Sequence, residues 1–228
     1  MIPIFIGYDP REAVAFHVCA NSIIRQGSQP VSISPLSLNI LKDYKETHSD
    51  GSNHFIYSRF LVPYLTGYQG WAIFIDGDMI LRDDISNLWA LRDDKYAAMV
   101  VKHDYKTKMN TKYLGSKNED YPCKNWSSVI LWNCGHHKNR ILTPTFIEKS
   151  TGKELHRFSW IDHENDLGSL PIHWNWLPDE FGLNKDAKLL HYTLGTPSFH
   201  EFATTPMGDE WHREKIFTTY CQQHDIFN

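Results

Sequence analysis

No apolar stretch in this 228-residue chain approaches the roughly 20 residues that a membrane span needs. No cluster of Lys and Arg marks a nucleic-acid or anionic-lipid footprint, and a net charge of −4 with a pI near 6.3 points the same way. Cysteine is sparse: Cys19, Cys123, Cys134 and Cys221 are far apart, with no CxxC pair among them. The opening Met1-Ile2-Pro3-Ile4-Phe5-Ile6 has no basic n-region and reads as a core strand rather than a leader. Reduced thiols and a cytoplasmic location are therefore expected. Internal repeats, low-complexity tracts and an interdomain linker are also missing. What the chain has in quantity is aromatic surface, 14% of residues with eight Trp, within a hydrophobic content of 41% that suits a globular core.

The apolar pattern describes an α/β protein. Residues 2–7 form a strand ending in Gly7-Tyr8-Asp9-Pro10, and Ala13, Phe16, Ala20, Ile23 and Ile24 then recur at helical spacing up to a stop at Gly27. Val31 to Leu36 is a second strand, so the chain opens as the strand–helix–strand unit of a parallel sheet. After a polar stretch over 37–54, a helix is expected from Asn53 to Leu65. Trp71 to Ile75 is a continuous apolar run, as in a strand buried on both faces. Tyr96 to Val101 and Ser127 to Trp132 read as further strands, and Thr143-Pro144 as a helix start. The polar excursion 102–124 is expected to cross the active-site face. Short apolar runs follow at Pro171 to Leu177 and Ala187 to Tyr192, then a C-terminal helix near Asp209 to Gln222.

The Trp71–Ile75 run leads directly into Asp76-Gly77-Asp78. Ligands of open α/β sheets bind beyond the carboxyl ends of strands. Two carboxylates separated by glycine can turn to one point, and hard oxygen donors suit Mn²⁺ or Mg²⁺ shared with a substrate's phosphates. An Asp-x-Asp triplet alone is common in surface turns; its place after five apolar residues gives it weight. Among thirteen histidines no HExxH pair occurs, and most are expected to be surface or hydrogen-bonded core residues. The acidic cluster Asp162-His163-Glu164-Asn165-Asp166 reads either as a solvated helix start or as a group addressing a sugar carbon. His173-Trp174-Asn175-Trp176 offers either an aromatic shelf or core packing.

The segment Tyr57-Ser58-Arg59-Phe60-Leu61-Val62-Pro63-Tyr64-Leu65, the strand Trp71–Ile75 and Asp76-Gly77-Asp78 together resemble glycosyltransferase family 8. The similarity runs from Ile4 to about Phe199. It implies a GT-A fold, a Rossmann-like mixed and mainly parallel sheet flanked by helices. It also implies retaining transfer of a hexose from a nucleotide-sugar, UDP-glucose or UDP-galactose in first place, to a hydroxyl of a glycan or other acceptor. Residues 1–228 would form one domain, with 1–103 as the nucleotide-binding half and 104–228 as the acceptor-side half. By the same resemblance Tyr8 and Asp9 hold the base, and Arg59 approaches the diphosphate or the acidic triplet. Asp76, Asp78 and His191 hold the metal, and Asp162 lies beside the donor sugar.

Three departures stand out. The family's Asp-Gln pair reads Asp162-His163, its Asn-Ser-Gly strand motif reads Trp126-Ser127-Ser128, and its late Lys-Pro-Trp reads Thr196-Pro197-Ser198. At the last of these, Gly195 and Thr196 would offer a backbone N–H and a hydroxyl to the phosphates. Two rival readings are a sugar nucleotidyltransferase and an inactive sugar-binding module. The first calls for a glycine-rich basic loop that Gly7-Tyr8-Asp9-Pro10-Arg11 lacks, and the second has no use for paired metal carboxylates.

Overall fold

The structure is a computed structural model that describes residues 1–49, 51, 53–115, 117–118 and 120–219. Its strands are β1 (Ile2–Gly7), β2 (Val31–Leu36), β3 (Trp71–Ile75), β4 (Met79–Leu81), β5 (Ala98–Val100), β6 (Val129–Asn133), β7 (Leu167–Ser169) and β8 (Leu189–His191). The helices are α1 (Ala13–Gln26), α2 (Val62–Leu65), α3 (Ile85–Trp89), α4 (Pro144–Lys149), α5 (Gly152–His156), α6 (Pro178–Phe181) and α7 (Gly208–Thr219). Residues 220–222 of the expected last helix, and Cys221 with them, lie outside the described residues.

Six strands form one sheet in the order β2-β1-β3-β6-β5-β7. The pairs β1–β2, β1–β3 and β5–β7 are parallel, while β6 runs antiparallel to both β3 and β5. Only β6 is therefore reversed, and the sheet is mixed but mainly parallel. Strand β3 at its centre has Ala72 and Phe74 in one buried layer and Ile73 and Ile75 in the other, the period-2 alternation of a strand with two covered faces. Phe60, Trp132 and Phe158 join Phe74, whereas Ile4, Cys19 and Leu131 join Ile73. Each such fully buried side chain contributes about 1.5–3 kcal/mol.

Two expected elements came out differently. The helix over 53–65 is instead a tight 3₁₀ turn at Ser58–Leu61 followed by the single turn of α2. Pro63 carries no N–H to continue an i→i−4 ladder, so the chain must begin a new turn there. The Pro171–Leu177 run is not extended: Ile172–Asn175 form a 3₁₀ turn that buries Trp174 and Asn175 together.

Strand β4 leaves the main sheet immediately after the acidic triplet and pairs antiparallel with β8, Met79 opposite His191. That small ladder sets the site. Trp176 bridges Leu190 on the other edge of β8, and the N–H of His191 donates to the Trp176 carbonyl at 2.8 Å.

Candidate active site

Asp76, Asp78 and His191 meet at the carboxyl end of β3, with one ligand atom from each lying within 4.8 Å of the others. The β4–β8 ladder brings His191 there, and the Tyr192 N–H donates to the Asp78 carbonyl at 3.1 Å to close the corner. His191 Nε2 is 3.3 Å from Asp78 Oδ1 and 3.8 Å from Asp76 Oδ2. Its Nδ1 is 2.9 Å from Asn175 Oδ1. A side-chain amide oxygen only accepts, so Nδ1 carries the proton and the Nε2 lone pair faces the two carboxylates. That is the tautomer a metal requires, and the buried Asn175 holds it.

Gly77 does its part by close approach. A Cβ there would lie 2.4 Å from the Gly7 carbonyl oxygen, so the triplet passes over the end of β1 at backbone distance. The reason for glycine is thus contact with β1 rather than the tight turn expected from the sequence.

Arg59 is buried beside the triplet, its Nη1 2.8 Å from Asp76 Oδ1 and donating to the Ser127 carbonyl at 3.0 Å. The rings of Phe55 and Phe74 flank the guanidinium at 5.4 and 5.0 Å. Burial raises the Asp76 pKa above the usual carboxylate range, although Arg59 opposes the rise. Asp78 Oδ1 is buried and accepts no hydrogen bond among the described residues. A buried carboxylate oxygen without a donor is costly, and a cation at this point would satisfy it. Two carboxylates and one imidazole nitrogen suit Mn²⁺ or Mg²⁺, so the donor set fits the expected metal.

The triad and Arg59 line one cleft. Its wall includes Ser127, Ser128 and His156, while Lys112 and Tyr121 reach in from the 102–124 excursion. His156 Nδ1 is 2.7 Å from Ser127 Oγ, and its Nε2 has no partner among the described residues. Burial, aided by Arg59, pushes the His156 pKa down to about 3. Lys112 is pushed down by burial and drawn back up by Asp78 and Asp76.

Other expected residues lie off this cleft. Asp9 is buried, and its carboxylate accepts from the Arg11 side chain and from the backbone N–H groups of Arg11 and His54. Burial would raise its pKa, but these donors hold it below the ordinary value. The Tyr8 ring meets Phe16 edge-on at 5.5 Å. Asp162 is exposed, and its Oδ1 accepts from the N–H groups of Glu164 and Asn165 at 2.9 Å. It caps its own turn. The Gly195 N–H is already donated to the Tyr192 carbonyl, at φ 148°, while the buried Thr196 hydroxyl has no partner among the described residues. Asn175, His156 and Lys112 were not singled out as site residues from the sequence. Only Asn175 carried a signal, its place in the aromatic run.

A profile of the family described as "Glycosyl transferase family 8" matches residues 15–195. The chain belongs to glycosyl transferase family 8. By family it is a glycosyltransferase. Protein CDI of Arabidopsis thaliana is 43% identical over 220 residues, 92% of this chain and 85% of that protein. Among solved structures, the apo form of the glycosyltransferase GlyE of Streptococcus pneumoniae TIGR4 superposes with TM-score 0.63 at 12% identity, covering 94% of this chain. The chain spans 60% of GlyE, less than two thirds of its length. The galactosyltransferase LgtC, solved with donor and acceptor sugar analogues, gives TM-score 0.60 at 10% identity, covering 97% of this chain and 98% of that one. These likenesses establish the GT-A fold. Among the described residues, no helix is long and apolar enough to cross a membrane.

Proposed function

We propose that this family 8 protein transfers a hexose from a UDP-linked donor, UDP-glucose or UDP-galactose, to a hydroxyl of a glycan acceptor, with retention at the anomeric carbon and with Mn²⁺ or Mg²⁺ as cofactor. The observation that carries this reading is the convergence of Asp76, Asp78 and the Nε2 of His191 in a cleft at the end of β3. A divalent ion held there supplies Lewis-acid stabilisation to a departing diphosphate. Family membership supports sugar transfer, and LgtC, whose fold is shared, was solved with donor and acceptor sugar analogues.

The chain's own residues divide the work. Arg59 fixes the direction of Asp76, and Asn175 fixes the tautomer of His191. Ser127 and His156 present polar atoms to the sugar hydroxyls along the cleft wall. Tyr8 and Asp9, one strand away at the end of β1, take the base; Asp9 would have to exchange part of its bonding to Arg11 for a ring N–H. Residues 1–103 then carry the nucleotide and 104–228 face the acceptor, with the metal ligands drawn from both halves. The free thiols of Cys19, Cys123 and Cys134 fit a reducing compartment such as the cytoplasm.

The test is a calorimetric panel of UDP-, GDP- and ADP-sugars with and without Mn²⁺. A UDP-sugar should bind only with metal, and Asp78→Ala should abolish the signal. Binding of equal strength without metal, or a preference for ATP, would overturn the reading.

A further inference from the structure

Lys112 is a cleft residue that the metal site does not explain. It lies in a small hairpin of the 102–124 excursion, where Thr111 bridges Lys117 and the Asn118 N–H donates to the Asn110 carbonyl at 2.9 Å. Asn118 Nδ2 also donates to the Met109 carbonyl at 2.7 Å, and Lys124 Nζ donates to Asn118 Oδ1 at 2.6 Å. Further back, the Lys108 N–H donates to Glu180 Oε2 at 3.0 Å, which ties the hairpin to α6. These bonds carry Lys112 into the cleft of Asp76, Asp78 and Arg59. There its ammonium is half-buried and, among the described residues, has neither a hydrogen bond nor an ion-pair partner within 4.0 Å.

A cation in that position repels a metal ion. If the cleft served the metal alone, Lys112 would weaken it. The formal charges suggest another purpose. Asp76 and Asp78 are balanced by Arg59 and Lys112, so a dication leaves two positive charges unmatched. The diphosphate of a nucleotide-sugar carries two negative charges. Arg59 is not free to meet them, because its guanidinium is committed to Asp76 and the Ser127 carbonyl. Lys112 is free to do so, and a lysine ammonium is a compact, rotatable point charge suited to phosphate oxygens.

We propose that Lys112 is a diphosphate-binding residue, meeting the phosphate oxygens from the part of the cleft wall that the 102–124 excursion supplies. This deepens the donor reading above and rests on it. The hairpin thereby places a cation on the leaving group from outside the sheet.

Titrations of Mn²⁺ alone, then of pyrophosphate and UDP in the presence of saturating Mn²⁺, test the assignment on wild type, Lys112→Met and Lys112→Arg. Lys112→Met should bind Mn²⁺ alone more tightly, by about threefold or more, because a like charge has gone. The same variant should bind Mn²⁺-pyrophosphate and Mn²⁺-UDP more weakly, on the order of tenfold to a hundredfold, the worth of one charge-assisted hydrogen bond. Lys112→Arg should restore most of the anion binding. A disturbed fold would weaken both ligands together, so the opposed signs separate charge from structure. If wild type binds both anions with metal and Lys112→Met binds them equally well, the proposal fails and the donor reading stands. If wild type binds pyrophosphate through Lys112 but not UDP, the proposal stands and the uridine reading fails. If wild type binds neither anion, both fail.

Discussion

Removing the Asn175 side chain should loosen a metal it never touches. Asn175 is fully buried, accepts from His191 Nδ1 at 2.9 Å and donates through Nδ2 to the Asn125 carbonyl at 3.1 Å. In Asn175→Ala both bonds vanish, leaving two buried groups short of partners: the imidazole N–H is unpaired, and the Asn125 carbonyl keeps only the Ser128 N–H at 3.4 Å. Each such group costs about 1–3 kcal/mol, so the variant should be destabilised by several kcal/mol at most. The His191 ring is then free to turn, and its proton can move to Nε2, where it would point at Asp78 instead of leaving a lone pair there. Loss of an outer partner of this kind weakens metal binding about 10–100-fold, equivalent to roughly 1.4–2.7 kcal/mol. Asn175→Asp separates the two effects, since it keeps the acceptor for His191 and loses the donor to Asn125. Mn²⁺ affinity by electron paramagnetic resonance and stability by urea unfolding should therefore part company: Asn175→Asp loses stability but binds Mn²⁺ more nearly like wild type. Wild-type Mn²⁺ affinity in a folded Asn175→Ala would refute the reasoning.

Three further outcomes are expected. Gly77→Ala places a Cβ 2.4 Å from the Gly7 carbonyl, against backbone rather than a movable side chain; about 1–3 kcal/mol of overpacking strain and a lowered Mn²⁺ affinity should appear by thermal melting and metal titration, and unchanged values for both would show that β1 yields freely. His156 and His103 have folded pKa values pushed down to about 3 and about 4 by burial, from an ordinary 6.5. Between those values and 6.5 the unfolded chain binds more protons, so stability is complete above about pH 6.5 and is lost as pH falls, by about 2 kcal/mol per histidine at pH 5. Urea unfolding of His156→Gln should show a shallower acid limb than wild type; identical limbs would remove His156 from the account. Asp162→Asn keeps Oδ1 as the cap of its turn, so sugar transfer should remain within a few-fold of wild type. A collapse of turnover with the melting point unchanged would instead place Asp162 at the donor sugar.

Much of the sheet was legible because its signals are local. The apolar runs at Ile2–Gly7 and Trp71–Ile75 specify interior strands, and the helical spacing after Ala13 with a stop at Gly27 specifies α1. Asp76 and Asp78 could be read because they continue an interior strand, and His191 because its segment matched a family motif. Asn175 could not, since its meaning comes from the bridge between Trp176 and Leu190, which joins chain segments by tertiary contact. Lys112 sits in a polar excursion with no periodicity, and the carboxylates whose cleft it shares, Asp76 and Asp78, are more than thirty residues away in sequence. Arg59 was expected near either the phosphates or the triplet, and here it pairs with Asp76 of the triplet. At Asp162 the resemblance pointed to a sugar contact, whereas the two backbone donors behind it make the carboxylate part of its own turn.

Anomalous diffraction from crystals grown with Mn²⁺ and UDP probes the centre of the account directly. A manganese peak bonded to Asp76, Asp78 and His191 Nε2, with diphosphate oxygens completing its shell, is the result expected. Manganese elsewhere, or UDP seated in the cleft with the three side chains unligated, would contradict it.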